Sequence, residues 1–454
     1  MLRELTREQF EERIANGGCT PVFKEFLADR ETPVAAFSRI AEDTDSFLLE
    51  SVAGGEQRGR YSYLGFGPHE TARSLEEVRE IFKGRHFVPA PELANFQGGA
   101  IGYVESCNGN PKVSTLGAAM FEIYDNYLMF DHVRSTVTIV IVSGEYEMAK
   151  CRINEIYSKM LSLESIAHYM PSKPGKLGAF VPEMKAEEYE EIVKRCKKEI
   201  YNGEVIQIVP SQKFTAECTI SGLQLYRALR VVNPSPYNFI MRIKGKTLIG
   251  SSPEELVKLE KGVASTAPIA GTKPRGKTKA EDLALEEELT HDPKELAEHV
   301  MLVDLGRNDL GRVAKTGTVK VEDFAHVERY SHVMHLVTNV KCELDEKYDA
   351  FDLLKAVFPA GTLSGAPKVR AMELIAELEK SPRGIYGGAA GFFSYNGDMD
   401  FAIVIRTMVL EDKSLMMRAG AGIVADSDPL KEYQETVNKS KAIFAAAKFA
   451  EELV

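Results

Sequence analysis

The stretch Ser135-Thr-Val-Thr-Ile-Val-Ile-Val142 constrains the fold of this chain most. β-Branched side chains crowd a helix and suit a pleated strand, so the run reads as the buried end of a strand region over Ala119–Val142. Shorter strand-like runs precede it at Pro21–Phe26, Val34–Ile40, Ser46–Val52, Tyr61–Phe66 and Phe96–Val104, punctuated by glycine and proline. Residues 1–20 suggest a short amphipathic helix closed by Gly17-Gly18, and Glu145–His168 a longer one. The segment Met170-Pro-Ser-Lys-Pro-Gly-Lys-Leu-Gly178 reads as a connection. It divides the chain into residues 1–170, a linker over 171–183, and residues 184–454.

Past the linker, helices are expected at Lys185–Asn202, Asp282–Leu305 (one or two), Tyr348–Val357, Pro367–Glu379 and from Pro429 to Leu453. Strands are expected at Val205–Thr215, Tyr237–Ile243, Gly391–Tyr395, Met399–Leu410 and Ser414–Ala419. Strands and helices mix without a βαβ rhythm, which argues for an α+β fold over a doubly wound parallel sheet.

Charge and cysteine usage narrow the function. The formal net charge is -11 over 454 residues, which disfavours non-specific nucleic-acid binding. The six cysteines form no C-x-x-C pair and lie at no zinc spacing, as expected of reduced thiols in a cytoplasmic protein. The first residues are charged throughout, unlike a signal peptide, and no apolar run approaches the ~20 residues that span a bilayer. Tryptophan is absent from the sequence.

Four patterns could carry chemistry. Gly271-Thr-Lys-Pro-Arg-Gly-Lys-Thr278 matches the phosphate-loop pattern, but such a loop must leave a buried parallel strand, and Pro268 just before it cannot donate in a central strand. Glu295/Glu298 and Glu432/Glu435 are i,i+3 pairs, each on one helix face. They could offer hard oxygens to Mg²⁺, or simply form solvated acidic faces. Gly361–Pro367, Gly387–Gly391 and Gly420-Ala-Gly422 let backbone N–H groups approach an anion, or merely turn the chain. Arg406 and His335 each interrupt an apolar run. A charged Arg there needs an anion, whereas a His there is more often a satisfied core residue.

Together these strings resemble the chorismate-utilising enzymes, and most of all the anthranilate synthase large subunits. The match is carried by Asn233-Pro-Ser-Pro-Tyr237, Ser252-Pro-Glu254, Pro268-Ile-Ala-Gly-Thr272, the run Lys294–Asp309, Gly361-Thr-Leu-Ser-Gly-Ala-Pro-Lys368 and Gly420-Ala-Gly422. The resemblance implies two large mixed β-sheets packed together with helices outside. It implies Mg²⁺ on Glu298 and Glu435, with Glu295 and Glu432 beside them or bridging through water. Gly271, Thr272, Tyr386, Arg406, Gly420, Ala421 and Gly422 would bind chorismate. Glu254 would be the general acid at the C4 hydroxyl, His335 would assist loss of the C2 proton and pyruvate, and Thr362 joins this catalytic set.

Two positions select among sister enzymes. Ala270 stands where many aminodeoxychorismate synthases carry a nucleophilic lysine. Gln207 stands where isochorismate and salicylate synthases carry a lysine that activates water, and an amide cannot act as that base. Both favour ammonia as nucleophile and anthranilate as product. Aminodeoxychorismate synthase is the alternative, then isochorismate or salicylate synthase, then a non-catalytic amino-acid sensor on the same scaffold. The string Leu48-Leu-Glu-Ser51 matches the family's tryptophan-feedback motif, which implies an L-tryptophan site at Ser51, Pro236, Tyr237 and Asn238. No cysteine sits in a nucleophile-elbow setting, so a separate glutamine amidotransferase subunit is expected to deliver ammonia.

Overall fold

The computed structural model describes residues 2–41, 44–51, 59–107, 116–161, 175–330 and 333–453. Thr136–Ser143 is buried at every position and lies between Thr20–Leu27 and Asn126–Asp131 in an 11-stranded sheet. That sheet continues through Tyr61–Phe66 and Ser46–Glu50 into Tyr237–Ile243, Lys246–Ser252, Thr407–Glu411, Ser414–Gly420, Ser211–Glu217 and Val181–Pro182. A 10-stranded sheet runs from Ile269–Pro274 through Val333–Glu343, Val263–Thr266, Glu255–Glu260, Met399–Ile403 and Ala389–Ser394 to Gly99–Ser106, Leu116–Tyr124 and Glu70–Ala72, with Lys320–Arg329 paired on Val333–Glu343.

The α+β class and the two large sheets are as expected. The sheets are not mixed, however: every named ladder among the described strands is antiparallel. Both sheets also draw on both halves of the sequence. Ser46–Glu50 pairs with Tyr237–Ile243, and Gly99–Ser106 pairs with Ala389–Ser394. Of the expected linker, residues 171–174 lie outside the described ones. The rest is folded onto the edge of the larger sheet, where Val181 and Pro182 pair with Thr215 and Phe214.

Two expectations change, and two helix readings gain bounds. Val34–Ile40 is not a strand but part of the helix Pro33–Ile40. Pro33 opens it, and Thr32 Oγ1 accepts from Ala35 N at 3.1 Å. The region Ala119–Val142 divides into three strands, with Ser135 turning at φ 51°. Asp282–Leu305 is two helices, Lys279–His291 and Pro293–Gly311, because Asp292 caps the second and Pro293 cannot continue the first. The helix predicted over Glu145–His168 covers Tyr146–Leu161, and residues 162–168 fall outside the described ones. The helix Gly222–Val232 was not read from the sequence.

An aromatic cluster fills the space between the sheets. Phe96 is fully buried, with ring centroids 4.9 Å from Tyr127 on the larger sheet and 5.1 Å from Phe392 on the smaller. Truncating a buried Phe costs about 3–5 kcal/mol. Phe96→Ala should therefore lower the denaturation midpoint sharply in a urea titration, and a change below about 1 kcal/mol would show that the cluster does not hold the sheets together.

The two helices bearing the glutamate pairs rest on different sheets. Pro293–Gly311 packs on Ile269–Pro274 and Val333–Glu343 of the smaller sheet, and Pro429–Glu452 on Ser414–Gly420 of the larger. No helix among the described residues is long and apolar enough to cross a membrane.

Candidate active site

A cavity of about 750 Å³ opens between these helices and the strand ends. Glu254, His335, Thr362, Gly271, Thr272, Tyr386, Arg406, Gly420, Gly422, Glu295, Glu298, Glu432 and Glu435 all line it. Ala421 does not. Its methyl is fully buried in an apolar cluster, and its N–H donates to Pro210 O at 3.3 Å, so its neighbours alone form that wall.

The proposed tryptophan set also lies outside this cavity. Ser51 follows the strand Ser46–Glu50, whose Glu50 pairs with Asn238. Asn238 is 1% exposed, and its amide is engaged by Ser235 O at 2.6 Å and Ser251 Oγ at 2.8 Å. Pro236 is buried, and the Tyr237 hydroxyl donates to Glu255 Oε2 at 3.1 Å. Just upstream, Asn233, Pro234 and Ser235 do reach the cavity wall.

Glu254 closes the cavity floor. Burial pushes its carboxyl up to about 7, against the hydrogen bond from Thr362 Oγ1 to Oε1 at 3.0 Å and the more distant Lys439. It is therefore partly protonated at neutral pH. His335 sits opposite Thr272 where the ladder is bulged, because Gly271 adopts φ +66°. The bulge turns Gly271 O to His335 Nδ1 at 2.9 Å. A carbonyl only accepts, so Nδ1 carries the proton and Nε2 keeps its lone pair. Burial lowers the His335 pKa, with Arg406 adding to the effect, which keeps the ring neutral.

Arg406 takes a left-handed φ of 50° between the strands Met399–Ile403 and Thr407–Glu411. Burial depresses its pKa, and its Nη1 donates to Lys439 O at 3.1 Å. A methyl at Gly420 would stand 2.9 Å from the Tyr386 hydroxyl, and one at Gly422 would stand 3.0 Å from Gln207 Nε2. At Gly420 the methyl would also stand 2.7 Å from Pro210 O, so bare backbone is required there, beside a guanidinium and a phenol.

The four glutamates share the cavity without a closed cage. Among the described residues no three metal-ligating side chains are gathered around one point. Burial and the neighbouring Glu298 raise the Glu295 pKa, and burial, with Glu435 adding to it, raises that of Glu432. A cation would relieve this crowding of like charge. Mg²⁺ uses one or two carboxylates and takes its remaining oxygens from water and substrate, so open pairs of hard donors suit it.

Three groups escaped the sequence reading. Lys439 Nζ stands 2.6 Å from Glu435 Oε1 and donates to Gly420 O at 3.1 Å, joining a carboxylate to the glycine wall. Its i,i+4 spacing from Glu435 was a usable signal. Gln207, read only as an absent lysine, donates from Nε2 to Glu298 Oε1 at 3.1 Å. Arg418 lines the cavity and is buried against Glu379 at 3.0 Å, a pairing that no local pattern reveals.

The phosphate-loop match fails structurally. Gly276 N and Lys277 N donate to Asp282 Oδ1 and Glu281 Oε2 at 2.9 and 2.8 Å, so the loop's donors serve its own helix. The first four residues of the match lie within the strand Ile269–Pro274, which is antiparallel to Val333–Glu343.

Comparison with known proteins shows the family. A family profile described as chorismate binding enzyme matches residues 49–445. Anthranilate synthase component 1 of Aquifex aeolicus is 42% identical, covering 99% of this chain and 98% of that protein. The Acetivibrio thermocellus protein of the same name is 44% identical over 95% and 96%. The crystal structure of anthranilate synthase component I from Streptococcus pneumoniae superposes with a TM-score of 0.75 at 34% identity, covering 92% and 98%. The menaquinone-specific isochorismate synthase of Escherichia coli shares the fold, with a TM-score of 0.77 at 19% identity over 95% of each chain. The chain therefore belongs to the chorismate binding enzyme family and, along nearly its whole length, is similar to anthranilate synthase component 1.

Proposed function

We propose that the chain converts chorismate and ammonia to anthranilate and pyruvate, as the first committed step towards tryptophan in the cytoplasm. The observation that carries this reading is the meeting, in one cavity, of a carboxyl raised to about 7, a neutral His with one free nitrogen, a guanidinium beside bare glycines, and two carboxylate pairs.

Arg406, Tyr386 and the Gly420 and Gly422 backbone take the enolpyruvyl carboxylate. Glu254 gives its proton to the C4 hydroxyl, which departs as water while the ammonia lone pair forms the new bond at C2. His335 Nε2 then takes the C2 proton. The electrons of that C–H bond complete the aromatic ring as the C3–O bond breaks, and the enolpyruvyl methylene is protonated to give pyruvate. Glu298 and Glu435, with Glu295 and Glu432 beside them, would hold Mg²⁺, which supplies positive charge for the ring carboxylate. Ala270 offers no competing nucleophile, and the Gln207 amide is engaged with Glu298.

Ammonia would come from glutamine through a separate amidotransferase subunit. Chorismate, Mg²⁺ and ammonium alone should thus give the fluorescence of anthranilate without any added lyase. A product that fluoresces only after a lyase is added would point instead to aminodeoxychorismate synthase.

Feedback by L-tryptophan belongs to the same proposal. Ser51 and the Pro236-Tyr237 segment lie at adjoining strands, Tyr237 holds Glu255 next to Glu254, and Asn233–Ser235 touches the cavity. A ligand ordering that segment would thereby reach the acid. Ser51→Phe should raise the tryptophan concentration for half-inhibition at least tenfold, a coupling of ~1.4 kcal/mol. Because coupling is reciprocal, chorismate should weaken tryptophan binding equally in a calorimeter. Unchanged inhibition in the variant would remove Ser51 from the site.

A further inference from the structure

Behind Glu254 lies a smaller recess of about 40 Å³. It meets the large cavity at Glu254, Leu302 and Thr362, which line both. Gly306 and Asp309 of the helix Pro293–Gly311 form another wall, facing Thr266. One water needs ~10–15 Å³ of such space, so the recess accommodates about three.

Asp309 is 5% exposed. Its Oδ2 accepts from Lys368 Nζ at 2.8 Å, and Lys368 also donates to Val357 O at 3.0 Å. Its Oδ1 is buried and accepts no hydrogen bond from a described residue, with Arg312 Nη2 standing 3.8 Å away. A buried carboxylate oxygen left without a donor is costly, and ordered water is the usual remedy. Burial raises the Asp309 pKa and lowers that of Lys368, so the pair exchanges a proton more readily than an exposed pair would.

Under the proposed function Glu254 loses one proton per turnover, while the nitrogen added at C2 releases one. Chorismate would fill the space in front of Glu254, closing that route to solvent. We propose that water in the recess relays a proton to Glu254 from the buried Asp309–Lys368 pair, recharging the acid from behind. The Glu254 carboxylate takes a proton from water, the water takes one from the pair, and the pair recovers its own from solvent where Leu305 and Gly306 are half-exposed. No oxidant or co-reactant is needed. Asp309 touches no substrate and acts through Glu254.

Two variants test this. Asp309→Asn keeps the shape and removes the exchangeable charge. Gly306→Ala sets a methyl 3.2 Å from Thr266 Cγ2, at the recess wall, in a helix that alanine favours over glycine. In both, kcat should fall about tenfold with unchanged KM for chorismate and ammonium, and the solvent deuterium isotope effect on kcat should rise. A merely structural role would not raise the isotope effect. Wild-type kcat and isotope effect in Gly306→Ala would overturn the relay even if Asp309→Asn failed to fold. The inference rests on the proposed reaction. A wild-type chain that makes no anthranilate would sink both, whereas an active wild type matched by Gly306→Ala would sink the relay alone.

Discussion

Glu298→Gln and Glu435→Gln should each leave a folded chain that no longer turns over chorismate with Mg²⁺. Both side chains are half-buried, so losing one charge does not strand it in the core. Each substitution keeps the shape and removes a hard anionic oxygen, and Glu435→Gln also weakens the contact with Lys439 at 2.6 Å. Groups that only orient a metal ligand are worth 10–100-fold in affinity, so a direct ligand should cost more than about 100-fold. Calorimetry should show that loss in Mg²⁺ affinity without substrate turnover. Glu295→Gln and Glu432→Gln should cost less. Near-normal Mg²⁺ affinity in either of the first two variants would remove that residue from the site.

Glu254→Gln should lower kcat by ~10²–10⁴, because the amide cannot give up a proton to the departing C4 hydroxyl. The pH profile gives the sign. The acid works when protonated, so wild-type kcat should fall as pH rises through about 7, and that limb should vanish in the variant. The folded chain also holds this proton more tightly than the unfolded chain. Its contribution to stability is therefore full below the unfolded pKa and fades as pH rises through about 7. A variant with wild-type kcat, or a profile without that limb, would assign the acid role to another group.

Much of the candidate site is legible because short strings carry it. Gly271 bends left-handed and Gly420 lies against the Pro210 carbonyl, and no other residue does either cheaply. Asp292-Pro293 fixed the start of the helix that presents Glu295 and Glu298. Arg406 was conspicuous as a charge within an apolar run. The partners were not legible. Gln207 to Glu298 and Arg418 to Glu379 join residues 91 and 39 positions apart, and such pairings follow from how helices pack against strands rather than from local pattern. Register shifts likewise escape local reading, as at the Ala270/Thr272 bulge that orients His335. The β-branched ends of Val34–Ile40 suggest a strand, and the Thr32-Pro33 helix start overrides them.

One measurement bears most directly on the central claim. The chain is incubated with chorismate, Mg²⁺ and ¹⁵N-ammonium, and the products are identified by mass spectrometry. Equal amounts of ¹⁵N-labelled anthranilate and pyruvate are expected. Unlabelled isochorismate or salicylate, labelled aminodeoxychorismate that persists, or untouched chorismate would contradict the account.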